Sequence, residues 1–281
     1  MNDKMKSLIT FLKKNWLNIG IILGAIIMVI AAVNIGLSLL DYQKASTVYD
    51  DLKQDYVIVA DQEKKEDKNQ PASQEQPSQE TPEVAEIPWN EMVKVNMEGL
   101  QELNPDIKGW IYFENETISY PILQGKDNEE YIRTTYNGKK ATAGSIFMDV
   151  ENKADFTDNH TLIYGHNMKD LTMFGKLKYY KTDEDYFPDH KYFQIITSNK
   201  KLRYQVFAYK EVEEDSLIYA VYSNSNTDFY KFAKNVISSA NQCPEGVIVG
   251  YDDRVVTLST CTDRDDKRFV VCGILVEELE Y

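Results

Sequence analysis

The sequence predicts a mainly β domain, a barrel or sandwich, that is joined to a membrane by one N-terminal helix. Residues 15–40 contain no charged side chain, and residues 61–86 are rich in Gln, Glu, Ser and Pro. The rest of the chain is dominated by short apolar runs separated by Gly, Asn, Asp and Pro. Short strands at this spacing are typical of an all-β barrel or sandwich rather than of βαβ units.

The uncharged run is long enough to cross a bilayer, because a spanning helix needs only about 20 residues. Four lysines precede the run and Asp41 follows it. A cleaved signal peptide has the same order of charges, but this run is too long and lacks a clear small-residue cleavage site. We therefore expect a transmembrane signal anchor over residues 15–40. Lysines favour the cytoplasmic side, so residues 1–14 are expected in the cytoplasm and the bulk of the chain outside.

Residues 41–86 are expected to form an extracellular stalk between the anchor and a folded domain. The first part could extend the anchor helix, whereas residues 61–86 contain Val84 as their only large aliphatic side chain. Such a segment buries too little apolar area to offset the entropy of ordering it. We expect a largely disordered linker there and a folded domain over residues 87–281.

The folded domain is expected to begin with a helix and to continue as strands. Between Pro88 and Asn104-Pro105, helical spacing relates Trp89, Met92, Val93, Met97, Leu100 and Leu103. Nine strand-like runs then follow, namely "GWIYFE", "ISYPIL", "GSIFMDV", "HTLIYGH", "YFQIIT", "RYQVFAYKEV", "GVIVGY", "RVVTLST" and "RFVVCGILVEE".

A second helix is predicted between "RYQVFAYKEV" and "GVIVGY", with Asn226 or Thr227 as its N-cap. Apolar residues recur there at i, i+3, i+4, i+7, i+8 and i+11, which defines one face of an amphipathic helix. We expect that face to pack on the barrel. Its residues are Phe229, Phe232, Ala233, Val236, Ile237 and Ala240.

Composition excludes several classes of function. The chain has 45 acidic and 31 basic side chains and a formal net charge of −14, which is unfavourable for binding nucleic acid. Three cysteines are too few for a disulfide framework in an exported domain. Neither the cysteines nor the three histidines have metal-ligand spacing, so no metal or other cofactor is expected.

Cys261 is the candidate nucleophile, because it ends a strand-like run just before a charged turn. Strand alternation places it on the face that also carries two hydroxyls, whereas an inert cysteine usually lies among apolar residues. The face of Cys261 carries Val255, Thr257 and Ser259, and the opposite face carries Val256, Leu258 and Thr260.

The other two cysteines are expected to be structural. Alternation places Cys272 with Val270 and Ile274 on an apolar face, which predicts a core thiol. Cys243 follows the predicted second helix and is interpreted as a loop thiol.

A reactive thiolate needs a basic partner, and His166 is the best candidate among the three histidines. It follows Gly165 at the end of the run "TLIYGH", a position that directs a side chain into a site. His160 and His190 lie in polar turns, so we expect both to be solvated surface residues.

Attack of a thiolate on a carbonyl develops negative charge on the oxygen, which a guanidinium can stabilise. Arg268 begins the strand that follows Cys261, and Arg264 lies in the middle of the turn between them. We favour Arg268, with Arg264 as the alternative.

These residues carry a resemblance to a known family. "TLSTC", an arginine at the head of the next strand and "YGHNM" upstream resemble the sortases, which are membrane-anchored cysteine transpeptidases of Gram-positive surfaces. "MFGKLKYY" and the predicted second helix are similar to class B. Over residues 87–280, the resemblance implies an eight-stranded β-barrel with N-terminal helices and a helix inserted between strands 6 and 7.

The resemblance also implies a reaction. Cys261 would attack the carbonyl of a threonine in a C-terminal sorting signal, related to Asn-Pro-x-Thr, and form a thioester. His166 would serve the leaving and incoming amines, and Arg268 would stabilise the oxyanion. The site would also be lined by Tyr164, Ser259 and Thr260.

The implied partners are surface proteins that carry such a signal, a peptidoglycan precursor amine and, through the N-terminal helix, the membrane. Two other functions remain open on the residues. One is a surface cysteine peptidase that transfers the same thioester to water, and the other is a non-enzymatic anchored ectodomain.

Overall fold

A computed structural model of the protein describes residues 3–60, 87–223, 227–238, 247–261 and 266–281. Side chains are described at these positions except for residues 3–12, 38, 39, 41, 45, 237, 238 and 261. The chain divides into two compact units, Met1–Lys44 and Ala45–Tyr281. Several predicted features lie outside the described residues, namely the stalk residues 61–86, Asn226, Ala240, Cys243 and Arg264.

Helix α1 (Asp3–Tyr56) contains the expected anchor. Its portion Lys13–Tyr56 includes a window of mean hydropathy 2.6. By length and composition this helix is a candidate membrane span, because about 20 apolar residues suffice to cross the hydrocarbon core.

The second unit begins earlier than residue 87, where we expected the folded domain to start. Tyr49 and Leu52, near the end of α1, are buried, and β1 (Val57–Val59) pairs antiparallel with β2 (Val93–Val95). The β-branched run "VIV" favours a strand, and the buried side chains add apolar area that the linker composition further along the chain does not have. Residues 45–60 are thus part of the same compact unit as the barrel.

The expected single helix before Asn104 is wrong in its middle. The segment forms a 3₁₀ turn (Trp89–Glu91), then β2, and only then helix α2 (Met97–Leu103). Asn96 caps α2 by accepting a hydrogen bond from the backbone N–H of Gly99. The helical spacing was misleading because Val93 pairs with β1, and a strand partner outweighs a weak local propensity.

Eight strands close into a barrel, which confirms the expected architecture. In chain order they are β3 (Ile107–Phe113), β4 (Ser119–Leu123), β5 (Ile146–Met148), β6 (His160–Tyr164), β7 (Tyr192–Ile196), β8 (Lys200–Glu213), β9 (Val255–Cys261) and β10 (Lys267–Glu280). Their order around the barrel is β10-β8-β7-β3-β4-β5-β6-β9. The pairs β4–β5 and β6–β9 are parallel, and the other six are antiparallel.

Short helical segments fill two connections. Between β6 and β7 lie a 3₁₀ turn (Gly175–Lys178), α3 (Tyr179–Thr182) and α4 (Tyr186–Asp189), and a 3₁₀ turn (Leu217–Tyr219) follows β8.

Of the nine predicted strand runs, eight form the barrel and "GVIVGY" does not. Its described part has no strand pairing: Val249 is buried beneath the inserted helix, whereas Ile248 is 82% exposed. The backbone N–H of Gly250 donates to the Asp253 carboxylate, which makes a turn there. Apolar composition alone cannot distinguish a strand from a segment that fills a gap under a helix.

Helix α5 (Thr227–Ser238) is the expected insertion between the sixth and seventh barrel strands. It begins at Thr227, so that residue is inside the helix rather than its cap. Phe229, Ala233 and Val236 are buried in a cluster with residues of β8, β9 and β10, which confirms that the apolar face packs on the barrel.

Candidate active site

The candidate site lies at one edge of the barrel, where β6 and β9 both end. These neighbours are parallel, and Tyr164 pairs with Ser259 at the end of the ladder. The N–H of Gly165 then donates to the Ser259 carbonyl at 3.1 Å. His166 and Cys261 each come two residues after that last pair, on strands that lie about 4.8 Å apart. The topology therefore brings the two segments to the same edge.

Arg268 reaches this edge from the other side of β9. The antiparallel ladder between β9 and β10 pairs Arg268 directly with Cys261. Directly opposed residues of an antiparallel pair point to the same face, with Cβ atoms about 4.5–5.5 Å apart. The segment of Cys261 is thus flanked by those of His166 and Arg268.

A cavity of about 290 Å³ opens at this edge. It brings together five of the predicted site residues with four others. The lining residues are Asn128, Ile132, Phe147, Tyr164, Gly165, His166, Ser259, Thr260 and Arg268. The side chain of Cys261 lies outside the described residues, and its backbone ends β9 beside this lining.

The imidazole of His166 is half-buried and held by one backbone carbonyl. Nε2 lies 2.6 Å from the Ile132 oxygen. A carbonyl only accepts, so Nε2 carries the proton and Nδ1 is the basic nitrogen of the neutral ring. Burial lowers the pKa of His166; the Ile132 carbonyl partly raises it, and Arg133 lowers it. The ring is therefore predominantly neutral at neutral pH.

The guanidinium of Arg268 is held by two oxygens. Nη1 donates to the Lys267 carbonyl at 2.9 Å, and Nη2 donates to a Glu214 carboxylate oxygen at 3.1 Å. Glu214 is largely exposed, with 62% of its side chain accessible, so this ion pair is weak and readily exchanged. The guanidinium therefore lies beside the cavity.

Comparison with known proteins identifies the family. The family model of the Sortase domain matches residues 111–276, which is more than half of the chain. The chain belongs to the sortase family.

The relatives that it resembles are class B sortases. Curated sortase B of Listeria monocytogenes serovar 1/2a is 37% identical over 199 residues, covering 70% of this chain and 80% of that protein. Sortase B of Staphylococcus aureus is 34% identical over 196 residues, covering 66% and 77%. This confirms the expected resemblance, and the protein is a cysteine transpeptidase of the sortase type.

Solved structures of sortase B match the fold. The Clostridium perfringens structure has a TM-score of 0.59 at 33% identity, covering 64% of this chain and 99% of that one. A Bacillus anthracis structure has a TM-score of 0.66 at 29% identity, covering 85% and 99%. The second match covers more of the chain than residues 87–281 hold, so it extends into the N-terminal segment.

The two described cysteine positions of this sortase lie on one face of the sheet, so our assignment of them to different faces is wrong. Cys272 pairs with Thr257, and Cys261 pairs with Arg268 farther along the same ladder. Thr257 Oγ1 lies 3.5 Å from Cys272 Sγ, as expected for neighbours on one face. What distinguishes them is position along the ladder. Cys272 lies beneath α5, and Cys261 lies at the edge.

Cys272 is the expected core thiol. It is 1% exposed, and burial raises its pKa to about 11, with partial opposition from the Thr257 hydrogen bond and Lys210. The thiolate form is therefore strongly disfavoured at neutral pH.

One wall of the sortase cavity is organised by a buried carboxylate that the sequence did not reveal. Asp149 accepts from the Tyr164 hydroxyl at 2.8 Å and from the Asn128 amide at 2.9 Å, both through Oδ2. Its Oδ1 accepts from the N–H of Glu151 at 2.9 Å. The only available signal was an acidic residue directly after the apolar run "SIFM".

Tyr219 was also missed, because it arrives from the connection after β8. Its ring stacks on Tyr164 at 6.3 Å between centroids, and its hydroxyl lies 2.9 Å from Ser259 Oγ. The Ser259 hydroxyl therefore contacts Tyr219, whose ring packs on the cavity-lining Tyr164. The neighbouring Thr260 is 3% exposed, and none of the described residues hydrogen-bonds its hydroxyl.

The expectation that His160 and His190 are solvated surface residues is wrong. His160 is fully buried, with Nδ1 2.8 Å from the Ala220 oxygen and Nε2 2.9 Å from Thr257 Oγ1. Burial lowers its pKa to about 4. His190 is half-buried and stacks on Tyr186 with centroids 3.8 Å apart. His160 was misjudged because its polar sequence neighbours do not reveal that α5 covers it, and His190 because they do not reveal that its ring stacks on Tyr186.

Proposed function

We propose that the protein cleaves a C-terminal sorting signal at a threonine and joins the released surface protein to an amine of a peptidoglycan precursor. The observation that carries the proposal is the three-strand register at the edge of the barrel. It sets the segments of His166, Cys261 and Arg268 side by side, as nucleophilic acyl transfer requires.

In the first step, His166 takes the proton of the Cys261 thiol, and the resulting thiolate attacks the threonine carbonyl and forms the S–C bond. Negative charge develops on the carbonyl oxygen, where the Arg268 guanidinium stabilises it. The C–N bond to the next residue then breaks, and His166 in its protonated form gives a proton to the leaving amine. A thioester on Cys261 results.

In the second step, the incoming amine attacks the thioester carbonyl. His166 takes the proton of the amine, the C–S bond breaks, and the new amide leaves with the surface protein attached. Tyr164, Ser259 and Thr260 line the binding cleft for the signal. A signal related to Asn-Pro-x-Thr is the one that the class B resemblance favours.

The location that accompanies this function is the outer face of a cell membrane. Residues 15–40 would span the bilayer with residues 1–14 in the cytoplasm. Residues 61–86 would serve as the stalk, and the catalytic domain would lie outside. The proposal is supported by the apolar length of α1 and by the lysines that precede the uncharged run.

The test uses the full-length chain in detergent and a panel of sorting-signal peptides, with and without a glycine or diaminopimelate-type amine. Wild type is compared with Cys261→Ala, and Cys272→Ala is the matched control because it removes a thiol that lies away from the cavity. We expect an acyl adduct on Cys261 and an amine-linked product in mass spectra of wild type and the control, and neither with Cys261→Ala.

Three other outcomes would contradict the proposal. Equal turnover by wild type and Cys261→Ala would show that Cys261 is not the nucleophile. Cleavage without any amine-linked product would favour the peptidase. No cleavage and no adduct with any peptide would favour the non-enzymatic ectodomain.

A further inference from the structure

The membrane-proximal end of α1 is built into the catalytic unit rather than being only a tether. Tyr49 is 4% exposed and Leu52 is 2% exposed. Burial of two such large side chains contributes substantially to the packing of this unit, because the apolar area is removed from water. This helix end therefore has a fixed place in the compact unit that holds the cavity.

Tyr49 contacts Gly144 and Ser145, which pack on the segment whose carbonyl accepts the hydrogen bond from His166. Its hydroxyl donates to the Gly144 oxygen at 2.7 Å and lies 2.9 Å from Ser145 Oγ. Gly144 packs tightly on that segment, because a Cβ added there would overlap the Ile132 oxygen. The same Ile132 oxygen accepts the hydrogen bond from His166 Nε2.

Ser145 strengthens this link. Its N–H donates to the Tyr131 oxygen at 3.0 Å, and its hydroxyl donates to the Thr134 oxygen at 2.7 Å. Residues 131–134 are thereby held on both sides of Ile132. One residue pair, Gly144–Ser145, separates Tyr49 from the hydrogen-bond acceptor of His166.

Tyr49 also supports the loop that follows His166, through Tyr120. Its ring meets Tyr120 edge-on, with centroids 5.6 Å apart and planes at 82°. The Tyr120 hydroxyl accepts from the N–H of Met173 at 3.1 Å. Met173 closes the loop by a bridge to Asn167, and its φ of 51° is an unfavourable conformation for a non-glycine residue that surrounding contacts must maintain.

We propose that Tyr49 is a positioning residue for His166, acting through the Ile132 carbonyl and through the 167–173 loop that follows His166. The membrane-proximal helix thus sets the geometry of the acid/base. The inference rests on the proposed role of His166, but the arrangement itself can be measured without any substrate.

The test is the titration of the His166 ring in the full-length chain in detergent. The protein contains only three histidines, so NMR spectra of chain labelled in the imidazole carbons give three resolved curves, assigned with His166→Gln and His190→Gln. Tyr49→Phe keeps the buried ring and removes only the hydroxyl. Tyr251→Phe, at a residue that is 50% exposed, is the matched control.

We expect Tyr49→Phe to weaken the bond from His166 to Ile132 and so to lower the pKa of His166 further, since that bond favours the protonated ring. Sorting-peptide turnover should fall about tenfold, mainly in kcat, because misplacement of an acid/base slows the chemical steps. Tyr251→Phe should change neither quantity.

An unchanged His166 titration in Tyr49→Phe would overturn the inference, whatever the activity. An equal shift in Tyr251→Phe would overturn it too. Loss of overall stability alone cannot produce the expected result, because the titration reports the ring in folded molecules. Because the curve needs no turnover, failure of the proposed reaction would leave this test readable.

Discussion

Two histidines lie at opposite ends of the same strand and differ in burial, in hydrogen bonding and in tautomer. His160 begins β6, and His166 lies two residues beyond its end. His160 is covered by α5, whose Phe232 ring lies 4.5 Å from the imidazole, whereas His166 is half-buried at the cavity. The first residue of β6 is thus a histidine buried against α5, and the segment just beyond its last residue places a second histidine at the edge of the barrel.

The two rings are also held as opposite tautomers. His160 donates from Nδ1 to the Ala220 carbonyl and accepts at Nε2 from the Thr257 hydroxyl. His166 donates from Nε2 to the Ile132 carbonyl. Among the described residues, both nitrogens of His160 are satisfied and only Nε2 of His166 is. Hydrogen bonds to both ring nitrogens are typical of a histidine that serves the structure. A basic ring nitrogen at a cavity is available for proton transfer.

The largest effect is expected for His166→Gln, which tests the chemical side of this comparison. Loss of a general acid/base typically costs about 10²- to 10⁴-fold in rate, so kcat/KM for sorting peptides should fall by that much. The free energy of unfolding should change by less than about 1 kcal/mol, since the ring is only half-buried. Steady-state kinetics and urea unfolding measure the two quantities.

His190→Gln is the control, because His190 stacks on Tyr186 and does not line the cavity. It should retain wild-type kcat/KM. If His166→Gln kept activity within tenfold of wild type, the assignment of the acid/base would be lost.

The next effect tests the structural side, through His160→Ala. The substitution opens a cavity under α5 and leaves the Ala220 carbonyl and the Thr257 hydroxyl without their buried partner. We expect a loss of about 2–4 kcal/mol in the free energy of unfolding at pH 7, measured in urea. Activity per folded molecule should be close to wild type, which is the reverse of the His166→Gln result.

The pH dependence of stability should carry the same signature. The pKa of His160 is lowered to about 4 from an unfolded value of 6.5, so between these values the unfolded chain binds a proton that the folded chain does not. Stability contributed by the neutral buried ring is therefore lost as pH falls from 6.5 towards 4. The gap between wild type and His160→Ala should narrow over that window, and a constant gap would contradict the buried neutral ring.

The site residues that could be predicted from the sequence are those placed by strand ends. His166 and Arg268 each adjoin the end of an apolar run, and pairing of neighbouring strands brings such ends together. The eight barrel strands were predictable for the same reason, because each is a short apolar run between turn residues. The end of a strand can be recognised from neighbouring residues alone, so a single sequence is enough to predict the residues that lie there.

What could not be predicted depends on contacts between distant segments. Asp149, Tyr219 and Tyr49 reach the site or its support from three other parts of the chain, and the only local signal among them is the position of Asp149 directly after an apolar run. His160 was misjudged because α5 covers it from more than 60 residues away in sequence. The faces of Cys261 and Cys272 were misassigned because only the register of β9 on β10 decides which residues share a face.

The smallest effects are expected for Thr257→Val and Thr260→Val, which extend the comparison to single hydroxyl groups. Thr257 donates to His160 and contacts Cys272, whereas among the described residues nothing bonds the Thr260 hydroxyl. Removing one partner of a buried hydrogen bond costs about 1–3 kcal/mol, so Thr257→Val should be destabilising by that amount. Urea unfolding of both variants, at pH 7, measures the difference.

Thr260→Val should be neutral or slightly stabilising, because it replaces a buried hydroxyl that none of the described residues bonds by a methyl group of similar shape. If the Thr260 hydroxyl hydrogen-bonds a polar group of the bound sorting signal, the kcat/KM of Thr260→Val should fall. Thr257→Val should not lose kcat/KM in this way. Equal destabilisation by the two variants would show that the Thr260 hydroxyl already has a partner in the protein. With those results, Thr260 on β9 would resemble His166 beyond the end of β6, because each side chain would be needed for turnover and would contribute little to folding.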